Sequence, residues 1–284
     1  MKKALVLLAT LVALSCEKEI EYEIPNPGDK IVIGGNLEEG KPVAIYLSKS
    51  VYSMSNDYPV TNNTFTAKLY TDDPASPFTL QAVQVNTYEP KYEYQSNHVI
   101  ESGKAYRLEV SAADLPTAQV NTSVPKNAVV QNLVYNSTTK DIEFEIKDEG
   151  KEENFYMITL SDDANNSVYL SSLDLELEFL EFDIFIGDDD YDGRRYGDRA
   201  YIADQKWDGN SRKFNIRIEI EPMFNRFYLN VYSISKSYYR HEITKAAYYN
   251  SDGFFSEPVQ LHSNVEGGYG ILGAAAKNST LIQY

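Results

Sequence analysis

Cysteine is almost absent: Cys16 is the one such residue in 284. A lone thiol excludes an internal disulfide framework, a cysteine-based zinc site and a CxxC redox motif. Histidine is nearly as scarce, and the three residues His98, His241 and His262 are far apart in sequence, which leaves little material for histidine chemistry. Basic charge is short as well, with 26 Lys and Arg against 42 Asp and Glu, a formal −16. Apart from Lys2 with Lys3 and Arg194 with Arg195 the cations are scattered, so the chain repels phosphates and nucleic acid is excluded as a partner. Hydrolase signatures are missing too: there is no GxSxG elbow, no HExxH pair and no cysteine–histidine couple. Carboxylate pairs abound, but in Leu173 to Phe179 they alternate with apolar residues, which explains them as the solvent face of a strand rather than as glycosidase acids. No enzymatic activity is expected.

Long apolar runs are also absent, with one informative exception. Met1, Lys2 and Lys3 precede an apolar run from Ala4 to Leu14 broken only by Thr10, followed by Ser15 and Cys16. Eleven residues of helix span ~16 Å, about half of a hydrocarbon core, so the run fits a secretory signal peptide over residues 1–15 and not a retained membrane helix. A small residue directly before the sole cysteine looks like a bacterial lipobox, with Cys16 as the acylated first residue after cleavage, although Ala13 stands where Leu is usual. The alternative, ordinary cleavage with an incidental thiol, must explain why the only cysteine stands there. Cleavage leaves 24 basic and 42 acidic residues, a formal −18. Acyl chains can anchor such a protein without a basic patch, since each buried methylene contributes ~0.8 kcal/mol.

Residues 16–28 form a tether: Glu17, Glu19, Glu21 and Glu23 alternate with Lys18, Ile20, Tyr22 and Ile24, and Pro25 to Gly28 end it with a turn-forming segment. An acidic stretch after a lipidated cysteine resembles the surface-export signal of Bacteroidetes lipoproteins. A plain solvated tether is the other reading.

From Lys30 onward the hydrophobic period is two, and the expected class is mainly β. Ile31 to Leu37, Pro42 to Ser48, Phe65 to Thr71, Ala82 to Tyr88, Ala105 to Ser111 and Val120 to Val124 are expected strands of an N-terminal immunoglobulin-like sandwich over residues 29–126. A second β domain is expected over 127–284. There Asp141 to Lys147 alternates strictly, Phe155 to Ser161 and Val168 to Leu173 suggest a hairpin, Leu173 to Phe179 alternates again, and Phe214 to Ile220 and Phe227 to Ile234 follow. Tyr239, Ile243, Ala246 and Ala247 share one helical stripe, which predicts a helix over 237–249. The tail from Phe254 is expected to hold a loop and one or two closing strands.

Three patterns are candidate sites. In Asp188 to Gly193 (DDDYDG) carboxylates at alternate positions precede a Gly, so Asp188, Asp190 and Asp192 could wrap Ca²⁺. The twelfth position is Arg199 where a bidentate Glu belongs, and a solvated acidic hairpin tip is the favoured reading. Gly268, Gly270 and Gly273 spell GxGxxG, but only 11 residues follow, too few for a dinucleotide-binding unit, so a Gly-rich turn beside a closing strand is expected. Tyr is abundant at 23 residues, with Tyr238, Tyr239, Tyr248 and Tyr249 flanking the expected helix and Tyr88, Tyr92 and Tyr94 around an expected loop. Exposed tyrosines with Trp207 could stack on sugar rings; core filling and β-propensity are the alternative for most of them.

Several segments together resemble a known family. They are Gly103 to Val110 (GKAYRLEV), Thr122 to Pro125 (TSVP), Asp204 to Gly209 (DQKWDG), Tyr232 to Tyr239 (YSISKSYY), Glu257 to Leu261 (EPVQL) and Gly267 to Gly273 (GGYGILG). In this order the chain is similar to Bacteroidetes outer-membrane lipoproteins catalogued as a domain of unknown function and often encoded beside SusC-type TonB-dependent receptors. The resemblance implies a lipid-anchored, surface-facing protein with an immunoglobulin-like domain and a C-terminal β domain carrying a helix. It implies a non-enzymatic accessory role beside an outer-membrane β-barrel, with no catalytic residue or cofactor. A freestanding adhesin or glycan-binding lipoprotein is the other reading. The acidic loop is not part of the pattern.

Overall fold

The computed structural model describes residues 28–52, 64–72, 75–86, 91–150, 152–180, 193–219, 226–249, 251 and 259–283. The first strands in chain order are β1 (Ile31–Glu38), β2 (Pro42–Lys49), β3 (Thr66–Tyr70), β4 (Phe78–Asn86), β5 (Lys91–Val99), β6 (Ala105–Ser111) and β7 (Ala118–Ser123). Alternation drives them together. Ile31 and Ile33, Val43, Ile45 and Leu47, Ala67 and Leu69, and Tyr106, Leu108 and Val110 fall on inward faces and are all under 4% exposed. The order β1-β2-β5-β4 followed by β3-β6-β7 is that of a constant-type immunoglobulin sandwich. β4 turns the corner: its start pairs with β3 through Leu80 to Ala67, and its remainder pairs with β5. A tyrosine corner stands where the immunoglobulin disulfide and Trp are missing. The Tyr106 hydroxyl, near the start of β6, accepts the Glu101 N–H at 2.9 Å.

The second unit contains β8 (Val129–Asn136), β9 (Asp141–Lys147), β10 (Phe155–Asp162), β11 (Ser167–Val168), β12 (Leu170–Ser172), β13 (Glu178–Phe179), β14 (Arg195–Gly197), β15 (Arg199–Ala203), β16 (Ser211–Ile218) and β17 (Arg226–Ile234). Helix α1 (Lys236–Tyr249) and the closing strand β18 (Tyr269–Gln283) complete it. One sheet runs β14-β12-β16-β9-β8, and the other β13-β15-β10-β17-β18. Between them lie Ile142, Phe144 and Ile146 of β9, Phe214 and Ile216 of β16, Ile158 and Leu160 of β10 and Leu229 and Val231 of β17. The Phe144 and Phe214 rings stack at 5.4 Å.

β18 belongs to both units. Its first half pairs in parallel with β1, and its second half runs antiparallel to β17. Ala275 O accepts Glu39 N–H while Ala274 O accepts Ser235 N–H, so neighbouring carbonyls serve opposite edges. Leu272, Ala274 and Ala276 consequently enter the first core. In the part of β18 that precedes its pairing with β17, the amide of Asn264 stands in for a strand partner, accepting Leu272 N–H at 3.1 Å and donating to Leu272 O at 3.0 Å.

α1 starts at Ser235, whose hydroxyl accepts the Tyr238 N–H at 3.3 Å as an N-cap does. No residue of α1 is fully buried and Ala247 is exposed, so the expected apolar stripe is weaker than its spacing suggests. Tyr239 holds the helix down, with its ring 4.8 Å from that of Phe155 and its hydroxyl donating to Glu178 at 2.8 Å.

Other expectations are corrected. Leu173 to Leu177 is a turn between β12 and β13, and only Glu178–Phe179 of the expected strand is extended; Leu173 and Leu175 are exposed, Leu177 and Phe179 buried. The acids there prefer other partners. Glu176 N–H donates to Asp174 Oδ1 at 3.0 Å in an Asx turn, and Arg212 holds both carboxylates, Asp174 at 2.6 Å. Tyr92 and Tyr94 lie on strand β5 rather than around a loop, and Tyr94 is buried with its hydroxyl accepting Phe65 N–H at 3.0 Å. Gly270 and Gly273 lie within β18 and not in a turn.

Candidate functional site

Where the two units meet, a cleft of about 940 Å³ opens between the ends of β6 and β7, the connection from Ser123 to Val129, Lys147 to Gly150 with Glu152 to Tyr156, and the start of α1. Its rim is charged. Lys126 faces Glu149 at 3.8 Å with both exposed, and Lys236 pairs with Glu153. Such rim pairs contribute little to stability, ~0–1 kcal/mol each.

Inside the second-unit wall sits an acidic cluster. Asp148 follows β9 in the inward register of Ile142, Phe144 and Ile146, and is 4% exposed. A carboxylate in that register must find donors, and it finds four. Asp148 Oδ2 accepts Gly150 N–H at 2.8 Å and Gly209 N–H at 2.6 Å. Oδ1 accepts the Asn154 amide at 2.9 Å and the Tyr156 hydroxyl at 3.2 Å. Asp148 thus ties the loop before β10 to the turn before β16. These backbones approach so closely that a Cβ on Gly150 would lie 2.9 Å from Gly209 Cα. Burial pushes the Tyr156 phenol up, and the Asp148 charge adds to it.

Asp204, directly after β15, is 0% exposed. Its Oδ2 accepts the Asn154 amide at 3.0 Å, whereas Oδ1 has no donor among the described residues. Burial pushes its carboxyl above the usual range; hydrogen bonds from Asn154 oppose this, and the charges of Asp148 and Asp208 reinforce it. Asp208 is exposed, in the turn closed by Trp207 N–H to Asp204 O at 2.7 Å and Asn210 N–H to Trp207 O at 2.9 Å. Oxygens of Asp148, Asp204 and Asp208 all lie within 4.8 Å of one another.

Asp148→Ala in calcium-free buffer leaves two part-buried backbone N–H groups, of Gly150 and Gly209, and the buried Tyr156 phenol without their acceptor. We expect a loss of about 2–4 kcal/mol in urea unfolding followed by Trp207 emission, with Asp148→Asn losing less. An unchanged midpoint for Asp148→Ala would remove this residue from its organising role.

The sequence-predicted sites fare differently. Cys16 lies outside the described residues, as do Asp188, Asp190 and Asp192. Trp207 is not a stacking surface. It is 7% exposed, stacked on Tyr156 at 5.6 Å and edge-on to Phe214 at 6.0 Å, because its turn folds it inward to cover the second core. Tyr248 and Tyr249 are exposed at the end of α1, while Tyr46 and Tyr269 lie on strands of the first sheet beneath Lys91 and Lys30. His98 stacks on Phe78 at 4.1 Å, and His241 bonds to the His262 carbonyl at 2.9 Å, both packing roles.

No sequence motif marks Asp148 and its partners as a site, although an acid continuing the inward register of Ile142, Phe144 and Ile146 is a readable signal. Asp204 and Asp208 stand in the DQKWDG segment, but their convergence on Asp148 depends on the pairing of β9 with β16 and of β10 with β15.

Residues 17–280 match the family described as "Domain of unknown function (DUF4249)". No curated protein matches the chain. Among solved structures it is similar to the crystal structure of a Salmonella alpha-2-macroglobulin mutant, at 10% identity and a TM-score of 0.22, over 77% of this chain and 14% of that one. The chain thus spans a small fraction of the length of that protein.

Proposed function

Since the chain belongs to this family of domains of unknown function, we propose from its own residues that it is a surface-exposed outer-membrane lipoprotein, acting as a non-enzymatic binding or accessory subunit of a TonB-dependent transporter. The observation that carries this reading is the sole cysteine, at a lipobox-like position 15 residues before Ile31. Fifteen residues reach at most ~50 Å when fully extended, so a lipid at Cys16 keeps the folded body near the membrane surface, within contact range of an embedded barrel. The two sandwiches share β18, which gives the partner one continuous sheet rather than two separately tethered domains.

Affinity purification of the tagged protein from detergent-solubilised membranes tests the reading. We expect a TonB-dependent barrel, identified by mass spectrometry, in near-stoichiometric yield. Recovery of the lipoprotein without any barrel from cells that express one counts against it.

A further inference from the structure

The acidic cluster, of which Asp148 alone lines the cleft, has no counter-charge among the described residues. None of the ion pairs between described residues involves Asp148, Asp204 or Asp208. Acceptors also outnumber donors. The two protons of Asn154 Nδ2 are sought by three oxygens, Asp148 Oδ1 at 2.9 Å, Glu152 O at 2.8 Å and Asp204 Oδ2 at 3.0 Å. Asp204 Oδ1, on a side chain with no exposure, has no donor at all among the described residues. A fully buried carboxylate oxygen without a donor is costly unless a cation meets it.

We propose that Asp148, Asp204 and Asp208 bind one Ca²⁺ ion. Their oxygens converge within 4.8 Å, a spacing that one ion can bridge. The candidate ligands are all oxygens, with no His or Cys in the group, which selects a hard cation over zinc or copper. They come from irregular backbone, one before β10 and two around the turn before β16, where carbonyls and water can complete six to eight ligands. Calcium accepts such a mixed shell, whereas Mg²⁺ demands a near-ideal octahedron. Exposed Asp208 provides the entry side, and buried Asp204 the fixed inner ligand. The ion would clamp Asp148, at the end of β9, to turn 204–209 and stiffen the wall of the cleft that Asp148 lines. This proposal is independent of the anchor and of any barrel partner.

The sole tryptophan makes the test direct, because Trp207 lies in the turn between Asp204 and Asp208. The chain from Glu17 onward, stripped with chelator, is titrated with CaCl₂ and followed by calorimetry, Trp207 emission and melting. We expect a single saturable site, a concerted change in emission and a Tm rise of about 3 °C or more at about 5 mM Ca²⁺. Asp208→Asn, an exposed substitution that leaves folding intact, is expected to weaken binding about tenfold or more. Joint Asp188→Asn, Asp190→Asn and Asp192→Asn substitution should leave it unchanged. No heat and no Tm shift up to about 10 mM Ca²⁺ overturns the proposal. So does binding that survives Asp208→Asn or vanishes in the acidic-loop variant.

Discussion

Cys16→Ser, placed behind a signal sequence cleaved by ordinary signal peptidase, is expected to move the protein entirely from the membrane fraction to the soluble fraction and to abolish incorporation of labelled fatty acid. The substituted leader is needed because the apolar run Ala4 to Leu14 would itself hold an uncleaved precursor at a membrane. Each methylene of an acyl chain contributes ~0.8 kcal/mol, and even one myristoyl chain supports an association constant on the order of 10⁴ M⁻¹, so loss of two or more chains costs several orders of magnitude in partitioning. The formal −18 that the proposed cleavage before Cys16 would leave opposes attachment to anionic lipid, and no helix among the described residues is long and apolar enough to cross a membrane. Any membrane association left in the variant should therefore be saturable, removed by urea and absent from cells lacking the proposed barrel partner. Fatty acid label that persists in Cys16→Ser would refute anchoring at this residue.

The fold was legible wherever one face of a strand carries the core. Ile142, Phe144 and Ile146 mark β9 without ambiguity, as Val43, Ile45 and Leu47 mark β2. β5 and β8 escaped because they bury almost nothing. Tyr94 is the only buried residue of β5, and β8 is an edge strand with no buried residue and a bulge between Gln131 and Val134, where Asn132 has φ 55°. Period two says nothing about strands of that kind. Leu173 to Phe179 erred in the opposite direction. It has the alternation of a strand, but local Asx hydrogen bonds and the grip of Arg212 offer its backbone a better alternative.

The candidate site was half legible for a related reason. Asp148 announces itself as an acid in an inward register, whereas Asn154, Asp204 and Asp208 acquire meaning only when sheet pairing brings their segments together. Gly268, Gly270 and Gly273 show the same limit. Their spacing imitates a nucleotide fingerprint, and too short a remaining chain excludes one, but the purpose of the glycines lies in the neighbouring strand. A Cβ on Gly268 would lie 2.5 Å from Ile31 O, and one on Gly270 1.9 Å from Ile33 O. The pattern records the closeness of β18 to β1, the seam that joins the two units.

That seam yields the largest stability effect expected here. Gly270→Ala should lower stability by about 3–5 kcal/mol, a large share of the ~5–15 kcal/mol typical of folded domains. Two costs combine. At φ 102° an L-residue is strained by ~1–3 kcal/mol, and the new methyl would meet the Ile33 carbonyl oxygen at a distance no neighbour can tolerate. The obstacle is backbone, so no rotamer change relieves it. β18 must move off β1, weakening the parallel ladder from Val32–Tyr269 to Glu38–Ala275 and drawing Leu272, Ala274 and Ala276 from the first core. Because β18 also pairs with β17, the loss should reach the second unit, and circular dichroism and Trp207 emission should both report a lower midpoint. Gly34→Ala is the matched control. Gly34 lies on β1 in the same seam, where an added methyl would find nothing within 4 Å and φ is not positive, so its substitution should be neutral or stabilising by up to about 1 kcal/mol. Equal melting of Gly270→Ala and wild type would mean that β18 can part from β1 at little cost, and that the two sandwiches are joined less firmly than their shared strand implies.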